Sequence, residues 1–331
     1  MARILVTGAS GFIGSHIAQR LRAMGHEVLA TGRDVSRLNE LEASDITTRA
    51  CDLAHDDLSS LIAGSEFVVH SAALSSPWGR REAFVAANVD ATQRLLDAAQ
   101  QAGVRRFVHM SSPSIYFQLH DQYDTPEAFR PPQHWINAYA ETKWLGEERV
   151  RAAAVQGLPS IVLRPRAVFG EGDRAIFPRL LMLAQRGWFP QIGGGNAMID
   201  VTYVANVVAA VEAALQSNAP ADGRAFNITN GEPMSVNDLL AQLFRAVDLQ
   251  VRMIPLPRGL AVALGHVSEK WALARPGQPE PRLSRYGVGV LGYSQTLDIS
   301  AAREQLGYRP VVSVAEGIER FASWWKDHAV A

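Results

Sequence analysis

The segment VTGASGFIGSHIAQRL, residues 6–21, restricts what this chain can fold into more than any other stretch. Gly8, Gly11 and Gly14 stand between the apolar run Ile4-Leu5-Val6 and a helical pattern in which Ile13, Ile17, Leu21 and Met24 share one face. Strand, glycine turn and helix in this order open a βαβ unit. Glycine is required where a backbone turns tightly and approaches a pyrophosphate closely. The phosphates then rest on free N–H groups at the positive end of the helix. A glycine-rich turn with no ligand has the same letters, but the strand before it and the helix after it favour a dinucleotide site.

The first half of the chain repeats this alternation. Short apolar runs at 28–30, 67–70, 107–110 and 160–163 read as strands, and 84–102 and 138–156 as helices. Runs without polar alternation belong to strands buried on both faces, as in a parallel sheet. The expected fold is therefore α/β, a Rossmann-type doubly wound parallel sheet with a smaller, mainly helical C-terminal substrate lobe. The sheet domain is expected over 1–167, with 200–229 returning to it, and the lobe over 168–331. The polar, proline-bearing stretch 117–136 reads as a long loop, and such loops are usually functional or mobile.

Composition excludes several function classes. A formal net charge of -1 gives no electrostatic reason to expect nucleic acid or an anionic membrane as partner. A lone cysteine, Cys51, allows no internal disulfide framework and no cysteine-rich zinc site; it reads as a small buried hydrophobe, and no metal is expected. No secretory leader is visible, and the apolar stretch 259–267 is too short to span a bilayer, so a cytoplasmic location is expected.

The end of the second strand bears on the cofactor. An acidic residue about 20 positions beyond the turn would bind the adenosine ribose of NAD. In VLATGRDVSRL that position falls on Gly32, followed by Arg33, with Arg37 one turn on. A guanidinium binds a 2′-phosphate bidentately where a carboxylate repels it. NADP(H) is the expected cofactor and NAD(H) the alternative, through Asp34.

The stretch NAYAETKWLGEE places Tyr139 four residues before Lys143, on one helix face. Most such pairs are packing or solvated surface. Order along the chain changes that reading. TGASGFIGSH, CDL (51–53), VVHSAA, ANVDAT, HMSSPSIY, YAETK and LRPRAVFGEGD occur in sequence, and together they resemble the extended short-chain dehydrogenase/reductases, the NAD-dependent epimerase/dehydratase superfamily. The resemblance implies a cofactor site of Gly8, Ser10, Gly11, Phe12, Ile13 and Gly14 in the turn. It adds Asp52 and Leu53 at the adenine, Ser71, Ala72 and Ala73 under the cofactor, and Pro165 beside the nicotinamide. It also implies that Lys143 hydrogen-bonds the nicotinamide ribose, that Ser112 (with Ser111 as fallback) holds the substrate oxygen, and that Asn88 links Lys143 to a water. A helix-interior Asn bonding backbone is the plainer alternative for Asn88. Physics supports the tyrosine's role: a phenol of pKa about 10 is a poor base, and a cation one turn away stabilises its phenolate. Tyr139 is then the general acid that protonates a carbonyl as hydride arrives, or the base in reverse.

Pro113-Ser114 follows Ser112 where sugar-nucleotide dehydratases carry Asp-Glu, which argues against dehydration. IDVTYVANVVAAVEAAL and the C-terminal stretch 285–324 resemble the 3β-hydroxysteroid dehydrogenase-like branch, and SSPSIYF resembles its bacterial reductases of 2-alkyl-3-oxo acids. That resemblance implies ketone–alcohol interconversion on an apolar small molecule. Trp188, Phe189, Met198, Trp271 and Tyr286 are candidates to line the pocket and equally ordinary core aromatics. Arg166 suits a substrate carboxylate and equally a structural salt bridge. Competing readings are a nucleotide-sugar 4-epimerase holding NAD tightly and a cofactor-sensing protein without chemistry. A homodimer through the two long helices is expected on fold analogy alone.

Overall fold

The computed structural model describes residues 1–129 and 131–328. Seven strands form its central sheet: β1 (Arg3–Thr7), β2 (Glu27–Gly32), β3 (Thr47–Ala50), β4 (Phe67–His70), β5 (Arg106–Met110), β6 (Ser160–Pro165) and β7 (Asp222–Ile228). The spatial order is β7-β6-β5-β4-β1-β2-β3, and every neighbouring pair is parallel. Strand order reverses between β1 and β4, and a ligand crevice opens beyond the carboxyl ends at such a point.

Both faces of the sheet are apolar, as strict two-residue alternation of side chains requires. Ile4, Val6, Val108 and Ile161 pack on one face against Ile17 and Leu21 of α1 (Phe12–Ala23). Leu5, Val68, Phe107 and Val162 pack on the other against Leu95 and Leu96 of α2 (Ala91–Gln101) and Val150 of α3 (Ala138–Val155). Val207 and Val211 of α4 (Val204–Gln216) join the first face beside α1. The expected helix over 84–102 is interrupted: a π-helical turn, Ala86–Asp90, precedes α2. Such turns concentrate at functional sites, and this one carries Asn88.

The C-terminal part is mainly helical, as its sequence suggests, but it also carries short strands. A parallel pair, Trp188–Ile192 with Arg252–Leu256, flanks a core of Phe169, Phe177, Phe189, Phe244 and Phe321. These strands hold at most five residues, and both contain proline, so no period-2 pattern forms. The stretch 117–136 is not wholly loop either. Its segment Gln122–Thr125 pairs with Gln295–Leu297, which pairs in turn with Met198–Ile199. This stretch is thereby stitched to the C-terminal part. Leu306 and Tyr308 return to pack with the sheet core.

One buried ion pair locks these parts together. Asn137 caps α3, its Oδ1 accepting the Ala140 N–H at 2.9 Å. Gly157, at φ +101°, lets the chain leave the helix. Two turns before that end, the fully buried Glu147 accepts from Arg164 Nε at 2.8 Å and Nη2 at 2.5 Å, and from the Ser111 hydroxyl. Arg164 Nη1 also donates to the Tyr116 hydroxyl and to the Glu127 carbonyl at 3.2 Å, and Tyr116 donates to Asn227 Oδ1 at 2.8 Å. The Glu147 carboxylate joins helix α3 to the ends of β5 and β6, and Arg164 and Tyr116 extend the network to β7.

Removing one partner of such a pair strands the other charge out of water. Glu147→Gln should therefore lower unfolding free energy by about 3–5 kcal/mol in chemical denaturation. A loss under about 1 kcal/mol would mean that the network does not hold the fold.

Candidate active site

The glycine turn has the shape its sequence implies. Gly8 adopts φ +67°, and a Cβ there would lie 2.6 Å from the Ala72 backbone nitrogen. A Cβ on Gly14 would lie 2.2 Å from the Gly8 carbonyl oxygen. Only bare backbone fits at either position. Gly11 caps α1 without a side-chain hydrogen bond, so no cap side chain takes up the amides of the first turn, which begins at Phe12 and Ile13. This cradle fits a pyrophosphate. Thr7 supports its floor: its carbonyl accepts the Ser71 N–H and its hydroxyl the Ala72 N–H, both at 3.3 Å. Ala73 follows directly, and Pro165 is buried at the end of β6.

Beyond β3, Asp52 turns its carboxylate onto the Ala54 N–H at 2.9 Å, and Leu53 is buried. Arg33 is exposed. Asp34 is already engaged. It caps the next helix through the Arg37 N–H at 3.3 Å and pairs with the Arg37 guanidinium at 3.4 Å. Arg37 in turn donates to the Ser10 carbonyl at 3.2 Å, which holds its guanidinium against the turn. A Cβ on Gly32 would meet the Ser10 hydroxyl at 2.3 Å, so an acidic side chain there would need Ser10 to move.

Tyr139 lies in the first turn of α3, partly buried, with the hydroxyls of Ser112 and Ser75 beside its phenol. Burial raises its pKa, and those two hydroxyls offset part of the rise. Lys143, one turn on, is buried, and its Nζ donates to the Met110 carbonyl at 2.6 Å. Burial lowers its pKa to about 8 despite the opposing charge of Glu147. The expectation that Lys143 depresses the phenol is not met in this arrangement. Its amine is turned onto the sheet end, and desolvation dominates at Tyr139.

The adjacent serines divide cleanly. Ser111 donates to Glu147 inside the ion-pair network. Ser112 caps a single 3-10 turn, Pro113–Tyr116, its Oγ accepting the Ser114 N–H at 3.2 Å, and faces Tyr139. Asn88 is turned to other partners than Lys143. Its Oδ1 accepts the Leu74 N–H at 2.7 Å, and its Nδ2 donates to the Leu74 carbonyl at 3.2 Å and to Thr142 Oγ1 at 3.1 Å. It ties the β4 exit loop to α3. Beneath Lys143 lie two buried histidines. His70 is held between Thr7 at 2.7 Å and Thr92 at 2.9 Å, and its pKa falls to about 3 through burial and then the lysine charge. His109 is pushed well below its usual value for the same two reasons.

A cavity of about 180 Å³ opens beside Asn137, lined among others by Trp78, Phe84, Ile136, Leu273 and Tyr286. Tyr286 lies within electrostatic reach of Tyr139 and packs on Phe117 at 5.1 Å between ring centroids. The other pocket candidates lie elsewhere. Phe189 is core, packed on Phe244, whereas Trp188 and Trp271 are 42% and 61% exposed. Met198 sits on a strand of the second sheet. Ser75 and Trp78 escaped sequence reasoning. The run LSSPW after β4 carried no periodic signal, and only its place at the carboxyl edge of the sheet could have marked it. Among the described residues, no three His, Cys, Asp or Glu side chains are placed to hold a metal ion, and no helix is long and apolar enough to cross a membrane.

Fold and site together define a nicotinamide-dinucleotide-binding protein of the extended short-chain type. The model of the "NAD dependent epimerase/dehydratase family" matches residues 4–229, and the chain belongs to that family. It is similar to a 2-alkyl-3-oxoalkanoate reductase of Stenotrophomonas maltophilia, 33% identical over 96% of this chain and 98% of that one. It is also similar to the decarboxylating sterol-4-alpha-carboxylate 3-dehydrogenase of Saccharomyces cerevisiae, 30% identical over 97% of each. Among solved structures, UDP-glucuronic acid 4-epimerase from Bacillus cereus in complex with NAD superposes with a TM-score of 0.78 at 25% identity, covering 98% of this chain and 96% of that one.

The two serines make separable predictions. Ser112→Ala should cut turnover by about 10²–10³-fold, the usual cost of a lost donor to a reacting oxygen, with stability little changed. Ser111→Ala should lower the melting temperature and largely spare turnover. Steady-state rates and thermal unfolding of both variants decide; the reverse pattern would exchange their roles.

Proposed function

We propose that this protein is an NAD(P)(H)-dependent oxidoreductase that interconverts a ketone and a secondary alcohol on an apolar small molecule. The carrying observation is the meeting of Tyr139 and Ser112 beyond the carboxyl ends of the sheet, with Lys143 one turn away and the glycine cradle beside them. The bound nicotinamide supplies hydride for reduction, or accepts it for oxidation. The chain's own residues handle the proton and the oxygen. Ser112 donates a hydrogen bond to the carbonyl oxygen, and Tyr139 delivers its phenolic proton to the same atom. Burial favours the neutral phenol, the form that serves reduction. Lys143, with a pKa of about 8, keeps a cation one helical turn from Tyr139. Asn88 acts as a positioning residue through Leu74 and Thr142.

The similarity to a 2-alkyl-3-oxoalkanoate reductase and to a sterol carboxylate dehydrogenase supports this reading over sugar-nucleotide epimerisation, which the fold alone would allow. NADP(H) is the preferred cofactor in this reading. Arg33 is exposed, Arg37 is anchored to the turn, and the Asp34 carboxylate, the rival ligand for a ribose, is engaged by Arg37.

Purified protein offered NADPH or NADH with a 3-ketosteroid, a 2-alkyl-3-oxo acid and simple ketones should oxidise cofactor with at least one of them. Tyr139→Phe should retain cofactor binding and lose turnover, and Arg33→Ala should lower the preference for NADPH about tenfold or more. Full turnover in Tyr139→Phe would overturn the assignment of the proton donor. An unchanged cofactor preference in Arg33→Ala would overturn that of the phosphate ligand.

A further inference from the structure

Helix α5 (Arg258–Leu273) carries its apolar side chains on the wrong side for a core helix. Its inward face is made of small residues, Ala261, Gly265 and Ala272. Between them the buried Glu269 is tied to the start of α6 (Arg285–Gly292), accepting from the Arg285 N–H and Nε, both at 2.7 Å. A Cβ on Gly265 would lie 3.1 Å from the Arg285 backbone nitrogen, so the two helices meet closely there. The large apolar residues are on the other face. Leu260, Leu264, Val267 and Trp271 recur every three or four positions, each between 46% and 64% exposed, with the exposed Ala263 among them. A helix on a globular domain ordinarily turns such a stripe to the core. Single apolar residues on a surface are common, whereas a contiguous row marks a contact.

Charge indicates what the face meets. The chain as a whole carries -1, which gives no reason to expect an anionic membrane, but residues 252–285 hold six Lys or Arg against two Glu, a net +4. Both glutamates are paired, Glu269 with Arg285 at 2.7 Å and Glu280 with Arg179 at 2.9 Å. Arg258 pairs with Asp121 at 3.1 Å. Among the described residues Arg252, Lys270, Arg275 and Arg282 make no ion pair. Lys270 is exposed beside Val267 and Trp271, and the Arg275 guanidinium lies over the Trp271 ring, 3.4 Å from its centroid. Indole rings settle at the boundary between lipid and water, and long basic side chains reach from there to the headgroups. A second copy of the chain fits this face poorly, because a two-fold contact would set these cations against their own copies. With 16 residues the helix is about 24 Å long and suited to lying along an interface.

We propose that the outward face of α5 docks on an anionic phospholipid bilayer, the helix lying in the interfacial plane with Leu260, Leu264, Val267 and Trp271 in the upper acyl region and Lys270 and Arg275 at the phosphates. The C-terminal end of the same helix reaches the cavity beside Asn137, which Glu269 and Leu273 line together with Arg285 and Trp78. Docking thus brings that cavity to a lipid surface, where apolar molecules accumulate. The use of this placement for substrate uptake rests on the oxidoreductase reading; the docking itself is read without turnover.

The test is flotation of the full chain with vesicles of phosphatidylcholine alone and of equal parts phosphatidylcholine and phosphatidylglycerol. Wild type should bind the mixed vesicles at least about 25-fold more tightly, because each of the two cations at the headgroups contributes about fivefold on an anionic surface. High salt should remove most of that difference. Lys270→Gln with Arg275→Gln should remove it too and leave binding to phosphatidylcholine unchanged. Leu264→Glu with Val267→Glu should weaken binding to the mixed vesicles at least about 30-fold. Both positions are exposed, so melting should stay within about 2 °C of wild type. Wild type that floats with neither vesicle would overturn the proposal with no variant needed. Equal binding to both compositions would overturn the anionic surface, and undiminished binding of the Leu264→Glu, Val267→Glu variant would overturn the choice of face. A wild type that ignores vesicles but sediments as a dimer, dissociated by Leu264→Glu, would assign the face to a second copy of the chain. The two readings fail separately. Ketone turnover without flotation leaves the oxidoreductase standing and removes the docking surface; flotation without turnover of any ketone does the reverse.

Discussion

The Glu147 carboxylate is the joint on which the site depends. It lies one turn beyond Lys143 and two beyond Tyr139 on the same helix, and it grips Arg164 and Ser111 from the ends of two strands. Ser112 and Arg166 are the neighbours of those residues, at positions one and two further along the chain. Tyr139, Ser112 and Arg166 thus stand on the elements that this one buried contact joins. Ionic contacts of this kind contribute little net stability over an apolar replacement, but they define a single geometry, because any other leaves a charge unpaired. In this protein they fix where the reactive groups point.

The second constraint is steric and lies across the crevice. Gly8 and Gly14 bring the turn into contact with Ala72 and with itself. Thr7 then ties the β4 exit to β1, and His70 is clamped between Thr7 and Thr92. Asn88 completes the frame by binding the next stretch of that exit, at Leu74, to Thr142 of α3. The glycine turn and α3 are joined by backbone contacts and short polar side chains rather than by flexible ones. Neutral buried histidines under Lys143 leave the lysine as the cation of that layer.

Local features were legible in the sequence. The glycine turn could be read because its three glycines lie between a strand and a helix, and Tyr139 with Lys143 because helical spacing puts them on one face. The doubly wound sheet followed from apolar runs buried on both faces. Contacts between distant residues were not legible. Nothing local marks Ser111 rather than Ser112 as the partner of Glu147, 36 positions away, and the division of labour between the serines needs that contact. Asn88 matched a motif, yet its side chain, on a π-helical turn, bonds Leu74 and Thr142, contacts that no local pattern announces. The short strands of the C-terminal part were missed because two to five residues, some of them proline, leave no periodicity. Tyr286 reached the site through the packing of its helix on Phe117, which a list of aromatic residues could not separate from the exposed Trp271.

The most direct measurement is isotopic. The protein is incubated with a 2-alkyl-3-oxo acid and NADPH or NADH deuterated at the transferable C4 position, and the products are analysed by mass spectrometry. Net hydride transfer at this site predicts an alcohol carrying one deuterium at the former carbonyl carbon for each cofactor oxidised. No deuterated product from any ketone, together with interconversion of UDP-sugar epimers without net cofactor oxidation, would contradict it.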